Sequence, residues 1–181
     1  LICLLSSGEL PISSSLNQMY LQLSSLVRDI QAVLLGGPLE LIEDHDERER
    51  EVDALLHLID RQVGAMLDSH DVAESLGLDR RQAVEHSNLA RTLERMMDHA
   101  DQMAALVLAA ESRPEMNLEE APLSLLPDWL IVMKTLMIQL RVRDPVEIEG
   151  ARNILKQAQI RLAAHEEELW TEQRKRASLL F

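Results

Sequence analysis

Two pairs of acidic side chains are the residues of this sequence whose type and spacing best suit a ligand. Glu49 and Asp53 stand four residues apart, and so do Glu94 and Asp98. On a helix, two carboxylates at this spacing lie on one face with their Cβ atoms about 5–6 Å apart, so both can reach one hard cation. Without a cation, like charges at this spacing cost a few tenths of a kcal/mol. The spacing therefore predicts a metal site wherever two such helices are neighbours.

Each pair belongs to a longer acidic row on its helix. The side chains that prolong the rows are Asp46, His57, Asp60 and Asp101. The alternative interpretation is a solvated face of an acidic protein, and acidic pairs at this spacing are common on such faces. Three arginines stand close enough in the sequence to neutralise part of the charge, namely Arg50, Arg91 and Arg95. Spacing alone leaves both interpretations open.

The motifs of several enzyme classes are missing from the sequence. Ferritin-like di-iron sites need Glu-x-x-His, and none of the six histidines has a glutamate three residues before it. His165-Glu166 lacks the second histidine of a zinc protease helix, and no glycine-rich phosphate loop occurs. A metal-dependent hydrolase stays open as an alternative, with His57 the only general base beside a row. The sequence predicts a protein that is not an enzyme.

Composition and charge restrict the class of protein further. The 181 residues carry 31 acidic and 18 basic side chains, for a net charge of −13. Such a surface repels the phosphates of duplex DNA and of anionic membranes, so we expect no direct contact with nucleic acid. Cys3 is the only cysteine, which favours a reducing compartment and a cytoplasmic location. No uninterrupted apolar run approaches 18 residues, so we expect no membrane insertion.

Helical periodicity dominates the chain, and only 2% of its residues are aromatic. Ser15 with Gln18, and Asp79 with Gln82, fit capping boxes, while Asp144-Pro145 is a strong helix start. Long amphipathic helices joined by short loops predict an all-α antiparallel bundle. The five helices predicted from apolar spacing cover about residues 16–35, 38–69, 80–111, 128–141 and 145–177.

A weak internal repeat relates the two halves of the chain. Residues 38–41 match residues 145–148 at an offset of 107, and each match opens a long polar helix. The second repeat has only two helices in this chain, so one apolar face is left for another subunit to cover, and we expect a homo-oligomer. At the same offset Lys156 and Ile160 replace Glu49 and Asp53, so a second metal cluster is not expected.

The residues of the third helix resemble a known family. Residues 89–100, Leu-Ala-Arg-Thr-Leu-Glu-Arg-Met-Met-Asp-His-Ala, are similar to the signature helix of the PhoU family of phosphate-uptake regulators. Residues 46–56 look like the second helix of that family. Glu49-x-x-x-Asp53 and Glu94-x-x-x-Asp98 match its two acidic metal motifs. The segments 7–11, 19–21 and 76–78 are closest to an archaeal branch in which an AbrB-like module precedes the PhoU region.

The resemblance implies three-helix-bundle repeats and a non-catalytic regulator. Family members restrain the phosphate ABC transporter and its sensor kinase when phosphate is plentiful, and several bind metal through the acidic motifs. Carried onto this chain, the resemblance implies a site of Glu49, Asp53, Glu94 and Asp98 for iron, manganese, nickel, zinc or magnesium. The expected organisation is a strand or turn from a preceding module over 1–15, a first repeat over 16–111, a linker over 112–127 and an incomplete second repeat over 128–181. The implied protein partners are the transporter ATPase, the sensor kinase or the transcriptional machinery, whereas contact with DNA would belong to the preceding module.

Two further functions stay open beside phosphate regulation. PhoU-like helices also occur beside nucleotide-sensing or channel-associated domains, which makes a potassium-transport accessory protein one alternative. The other is a purely structural helical assembly domain without a ligand. Neither alternative requires the acidic rows to bind a metal.

Overall fold

The computed structural model describes residues 11–69, 71, 73–74, 79–110 and 119–178, with side chains as far as residue 171. These residues form five long helices and two 3-10 turns, without a strand among them, which confirms the predicted all-α fold. The helices are α1 (Ile12–Leu34), α2 (His45–Asp68), α3 (Arg80–Ala109), α4 (Leu126–Val142) and α5 (Pro145–Ser178). The chain divides into one unit over Leu1–Pro114 and another over Glu115–Phe181.

The first unit is a three-helix bundle in which α1, α2 and α3 each contact the other two. Helix α1 supplies the largest apolar side chains, because its apolar residues recur every three or four positions along one face. Helix α3 buries mostly small side chains, among them Ala83, Ala90 and Ala104, which lets the helices approach closely. The fully buried large side chains of the unit include Leu16, Met19, Leu23, Leu26, Ile30, Ile59, Met66, Leu93 and Met97.

The starts of α1 and α2 differ from the prediction. Helix α1 begins at Ile12, and Ser15 is buried within it with a hydroxyl that has no hydrogen-bond partner, so the capping box with Gln18 is wrong. Residues 12–15 of the predicted strand or turn over 1–15 are helical, and its first ten residues lie outside the described part. Pro38 opens a 3-10 turn over Leu39–Leu41 rather than α2. The reason is that Ile42, which is fully buried, inserts into the core before α2 begins at His45.

The start of α3 is the predicted capping box. Asp79 Oδ1 accepts a 2.7 Å hydrogen bond from the backbone N–H of Gln82, and Gln82 Oε1 accepts a 3.1 Å bond from the backbone N–H of Asp79. Two backbone donors that the first helical turn leaves unpaired are thereby satisfied.

Removing this cap is expected to destabilise the first unit. We expect Asp79→Ala to lower the free energy of unfolding by about 1 kcal/mol, measured by urea unfolding followed by circular dichroism. Asp79→Ser, which restores a capping oxygen, should recover most of the loss. Equal losses in the two variants would show that the hydrogen bond to Gln82 contributes nothing.

The second unit is a helical hairpin in which α4 and α5 pack against each other. Arg143 takes a left-handed conformation (φ 57°) at the end of α4, and the buried amide oxygen of Gln139 accepts a 2.8 Å bond from the Asp144 backbone. The carboxylate of Asp144 then accepts a bond of 2.9 Å from the Val146 N–H, which confirms the predicted start at Asp144-Pro145. Two residues are therefore enough to join the helices.

One segment of this hairpin differs from the expectation about membranes. Residues Leu123–Val142 have a mean hydropathy of 1.4 over an 18-residue window, so by length and composition they are apolar enough to cross a membrane. The sequence-based search overlooked them because charged residues such as Asp128 and Lys134 interrupt the run. A single such helix is weak evidence of a membrane span, since a core helix of a soluble protein passes the same test.

Candidate metal centre

The four predicted metal ligands lie along the packed pair α2 and α3. Three of them directly follow a core position, because Asp53 follows Val52, Glu94 follows Leu93 and Asp98 follows Met97, and these three apolar side chains are buried. The carboxylates consequently flank the core, and all four are half-buried. Local helical periodicity, rather than a special backbone conformation, positions the site.

The electrostatics of the glutamates show that the two acidic pairs face each other. Partial burial raises the pKa of Glu49, and the charges of Asp53, Asp101 and Asp98 raise it further. Partial burial also raises the pKa of Glu94, followed by the charges of Asp98 and Asp53. Asp53 on α2 and Asp98 on α3 thus each act on a glutamate of the other helix. The four carboxylates therefore lie near enough for their charges to interact between α2 and α3.

We call Glu49, Asp53, Glu94 and Asp98 the acidic patch. Two further residues, His45 and Asp101, join it. The ring nitrogen Nδ1 of His45 lies 2.6 Å from Asp101 Oδ1, and both side chains are partly buried. Asp101 also contributes to the raised pKa of Glu49. The spacing in the sequence could have placed His45 beside the patch, because it stands four residues before Glu49. Its contact with α3 was not predicted, since His45 is the first residue of α2.

Other members of the predicted rows lie outside the patch. Asp46 is exposed and accepts a 2.9 Å bond from Arg50. Asp60 accepts bonds of 2.9 Å from Ser87 Oγ and 2.8 Å from Arg91, so its charge is already compensated. His57 is exposed. Arg50 and Arg91 bond to Asp46 and Asp60. Arg50 also lowers the pKa of Glu49, and Arg95 and Arg91 lower that of Glu94, but burial and the aspartates outweigh them and both pKa values stay raised.

The donor set of the patch fits a hard cation, since carboxylate oxygens are the ligands that such ions prefer. The side chains do not yet converge on one point: within the described residues, no three His, Cys, Asp or Glu side chains form a group that could hold a metal ion. A bound cation would be held by Glu49, Asp53, Glu94 and Asp98, and it would supply the positive charge that the patch lacks.

Replacing Glu94 tests the repulsion directly. The pKa of Glu94 is raised in the folded state. Just above the ordinary carboxyl pKa, the folded state therefore binds more protons than the unfolded state does. The free energy of unfolding consequently falls as the pH rises through that range. We expect the metal-free Glu94→Gln variant to unfold with a free energy about 0.5 kcal/mol higher at neutral pH. This gain should disappear at a pH low enough to protonate Glu94 in both the folded and the unfolded state.

The matched control for this experiment is Glu85→Gln on the same helix. Glu85 is exposed and is bonded to Arg81 at 2.9 Å, so its replacement should give no gain at any pH. Urea unfolding at several pH values, followed by circular dichroism, measures both variants. A destabilised Glu94→Gln at neutral pH would contradict the repulsion that we infer.

Comparison with known families bears on this part of the chain. A family model described as the PhoU domain matches residues 16–107, a range that spans most of the first unit and both acidic pairs. No curated protein and no solved structure shows significant similarity to the chain. The likeness of residues 128–181 to a second repeat stays a prediction.

Proposed function

Since the chain belongs to the PhoU domain family, whose members regulate phosphate homeostasis, we propose that it is a regulator that binds a metal ion and acts through protein contacts. The metal would bind at Glu49, Asp53, Glu94 and Asp98. The protein partners would be the ATPase of a phosphate ABC transporter, a sensor kinase or the transcriptional machinery. We also propose that the chain is most similar to the archaeal PhoU proteins in which an AbrB-like module precedes the PhoU region.

The observation that carries the metal proposal is the mutual effect of the four carboxylates. Partial burial and then the charges of aspartates on both helices raise the pKa values of the two glutamates, and the charges of Arg50, Arg91 and Arg95 lower them by less. Such a patch lowers its free energy when a cation binds. The same carboxylates match the acidic motifs of the family by type and spacing.

A second candidate is a helical assembly domain without a ligand. It is supported by the lack of any converged group of three metal-binding side chains in the described residues. Under this alternative the acidic patch is a solvated face, and the family's regulatory role depends on protein contacts alone. Both candidates are non-catalytic, as is usual for the family.

Metal content distinguishes the two candidates. The wild-type chain, purified without tag or chelator, is expected to contain stoichiometric iron, manganese, nickel, zinc or magnesium by plasma mass spectrometry. A Glu94→Ala/Asp98→Ala variant should lose it. The matched control is Glu47→Ala/Glu51→Ala on α2, which removes two exposed acidic side chains at the same spacing and should keep the metal.

A wild type that is free of metal and fails to bind added metal would overturn the metal proposal and favour the assembly domain. Metal that survives the Glu94→Ala/Asp98→Ala substitution would place the site elsewhere. Circular dichroism of each variant shows whether it remains folded. These outcomes leave the family assignment intact, because that assignment does not depend on a ligand.

Partner contact requires a separate experiment. The immobilised chain is expected to bind the transporter ATPase or the sensor kinase encoded in the same genome, and phosphate should change the affinity. Binding to neither protein, with or without phosphate, would contradict this part of the proposal. Comparison of the wild type with the metal-free variant then shows whether the patch controls the contact.

A further inference from the structure

Helix α5 is twice as long as the helix against which it packs. It has 34 residues and α4 has 17, which correspond to lengths of about 51 and 26 Å. Arg161 donates a 3.1 Å bond to Ser124, just before α4 begins, so the hairpin ends near this residue. About half of α5 therefore extends beyond α4.

Burial distinguishes two faces of α5. The face that packs on α4 has its less exposed side chains at alternating steps of three and four. The members of this face alongside α4 are Ile148, Ala151, Leu155 and Ala158, and Leu162 and His165 continue it beyond α4. The side chains on the far face repeat with the same rhythm, and we call them the outer stripe: Glu149, Asn153, Lys156, Ile160, Ala163, Glu167 and Trp170.

The outer stripe is exposed along its described length, although it contains apolar side chains. Ile160 is 55% exposed and Trp170 is 65% exposed. A stripe with this rhythm is the pattern by which two helices pack along their whole length. The second unit has only two helices in its described part, so nothing in that part covers the stripe.

The stripe is complementary to itself when it is read in the opposite direction. In an antiparallel pair centred between Arg161 and Leu162, position i of one helix meets position 323 − i of the other. This register places Lys156 opposite Glu167 and Ile160 opposite Ala163, while Asn153 meets Trp170. Lys156 and Glu167 then pair as opposite charges on both sides of the axis. A parallel pair in register would instead place each charge opposite its own copy.

We propose that α5 binds a second copy of this chain, antiparallel, through the outer stripe. The two-fold axis lies between Arg161 and Leu162, so every contact occurs twice. The half of each α5 that extends beyond α4 is then supported by the other subunit. This surface is independent of the acidic patch on α2 and α3, so the proposed metal function can fail without affecting it.

Charge reversal tests both the partner and the register. Lys156→Glu gives two Glu–Glu contacts per dimer, and Glu167→Lys gives two Lys–Lys contacts. We expect each single variant to raise the dimer dissociation constant about tenfold, measured by analytical ultracentrifugation over a dilution series of the 181-residue chain. The matched control is Glu168→Lys, which changes the charge equally at an exposed position outside the stripe and should leave dimerisation unchanged.

Complementation makes the test specific to the antiparallel register. An equimolar mixture of the Lys156→Glu and Glu167→Lys variants should form heterodimers, since both contacts then join opposite charges. The double variant Lys156→Glu/Glu167→Lys should form homodimers as the wild type does. Residues 156 and 167 lie about 16 Å apart along one helix, so restoration cannot come from a contact within one chain.

Several outcomes would overturn this inference. A wild type that stays monomeric at every concentration would show that a different partner, or no partner, covers the stripe. Dimers that neither single variant weakens would place the interface elsewhere. If neither the mixture nor the double variant restores dimerisation, the antiparallel register is wrong. Circular dichroism confirms in each case that the helices are intact.

Discussion

Replacing Leu93 by alanine is expected to lower the free energy of unfolding of the first unit by about 2–5 kcal/mol, because it removes methyl groups and leaves a cavity in a close-packed core. Leu93 is fully buried at the middle of α3, the helix that contacts both α1 and α2. Domains of this size unfold with only about 5–15 kcal/mol. The variant should therefore lose a large part of the stability of the bundle.

The matched control for Leu93 lies on the same helix. Leu106 is 73% exposed, so Leu106→Ala should change the free energy of unfolding by less than about 0.5 kcal/mol. Urea unfolding followed by far-ultraviolet circular dichroism measures both variants. Trp129 and Trp170 both belong to the second unit, so tryptophan fluorescence reports whether that unit is unaffected. Similar losses for the two leucine variants would show that the core does not lie where the structure places it.

If the acidic patch binds a cation as proposed, adding that cation is expected to stabilise the first unit by an amount that depends on its concentration. A ligand that binds only the folded state adds about 2.7 kcal/mol when its free concentration is a hundred times its dissociation constant. Thermal unfolding over a titration of manganese or magnesium measures the gain. Calcium and sodium in the same titration show whether the gain depends on the kind of cation or on ionic strength alone.

The Glu49→Gln/Glu94→Gln variant makes this prediction specific, because its two expected effects have opposite signs. Without metal the variant should be more stable than the wild type, since repulsion with Asp53 and Asp98 is reduced. With metal it should show no gain and become the less stable of the two. An equal metal-dependent gain in the variant and the wild type would exclude both glutamates as ligands.

The helices could be predicted from periodicity, but the buried face of α3 could not. The sequence pattern indicated a seam of mostly large apolar residues: Leu89, Leu93, Met96, Ala100, Met103 and Val107. The structure instead buries a partly different set: Ala83, Ser87, Ala90, Leu93, Met97, Ala100 and Ala104. Met103 is 41% exposed. A helix that contacts two others places its small residues where the backbones approach, and a count of large apolar residues misses these positions.

The spacing was enough to place each acidic pair on one face of its helix, because residues four positions apart on a helix lie on the same face. Which charges are compensated could not be predicted in this way. Arg50 and Arg91 were expected to neutralise part of the rows, and the members to which they bond are Asp46 and Asp60. That choice depends on which residues face each other between α2 and α3, and the same is true of His45 and Asp101. Contacts between helices require the packing geometry, which spacing along one helix does not contain.

The uncompensated carboxylates between α2 and α3 also have a consequence for the speed of ion capture. They add a local negative field to a chain whose net charge is already −13, and such a field raises the association rate of cations above that of random encounter. Added salt shortens the range of this field to about 8 Å at physiological ionic strength. Stopped-flow measurements should therefore show an association rate that falls as salt is added, with a smaller change in the dissociation rate.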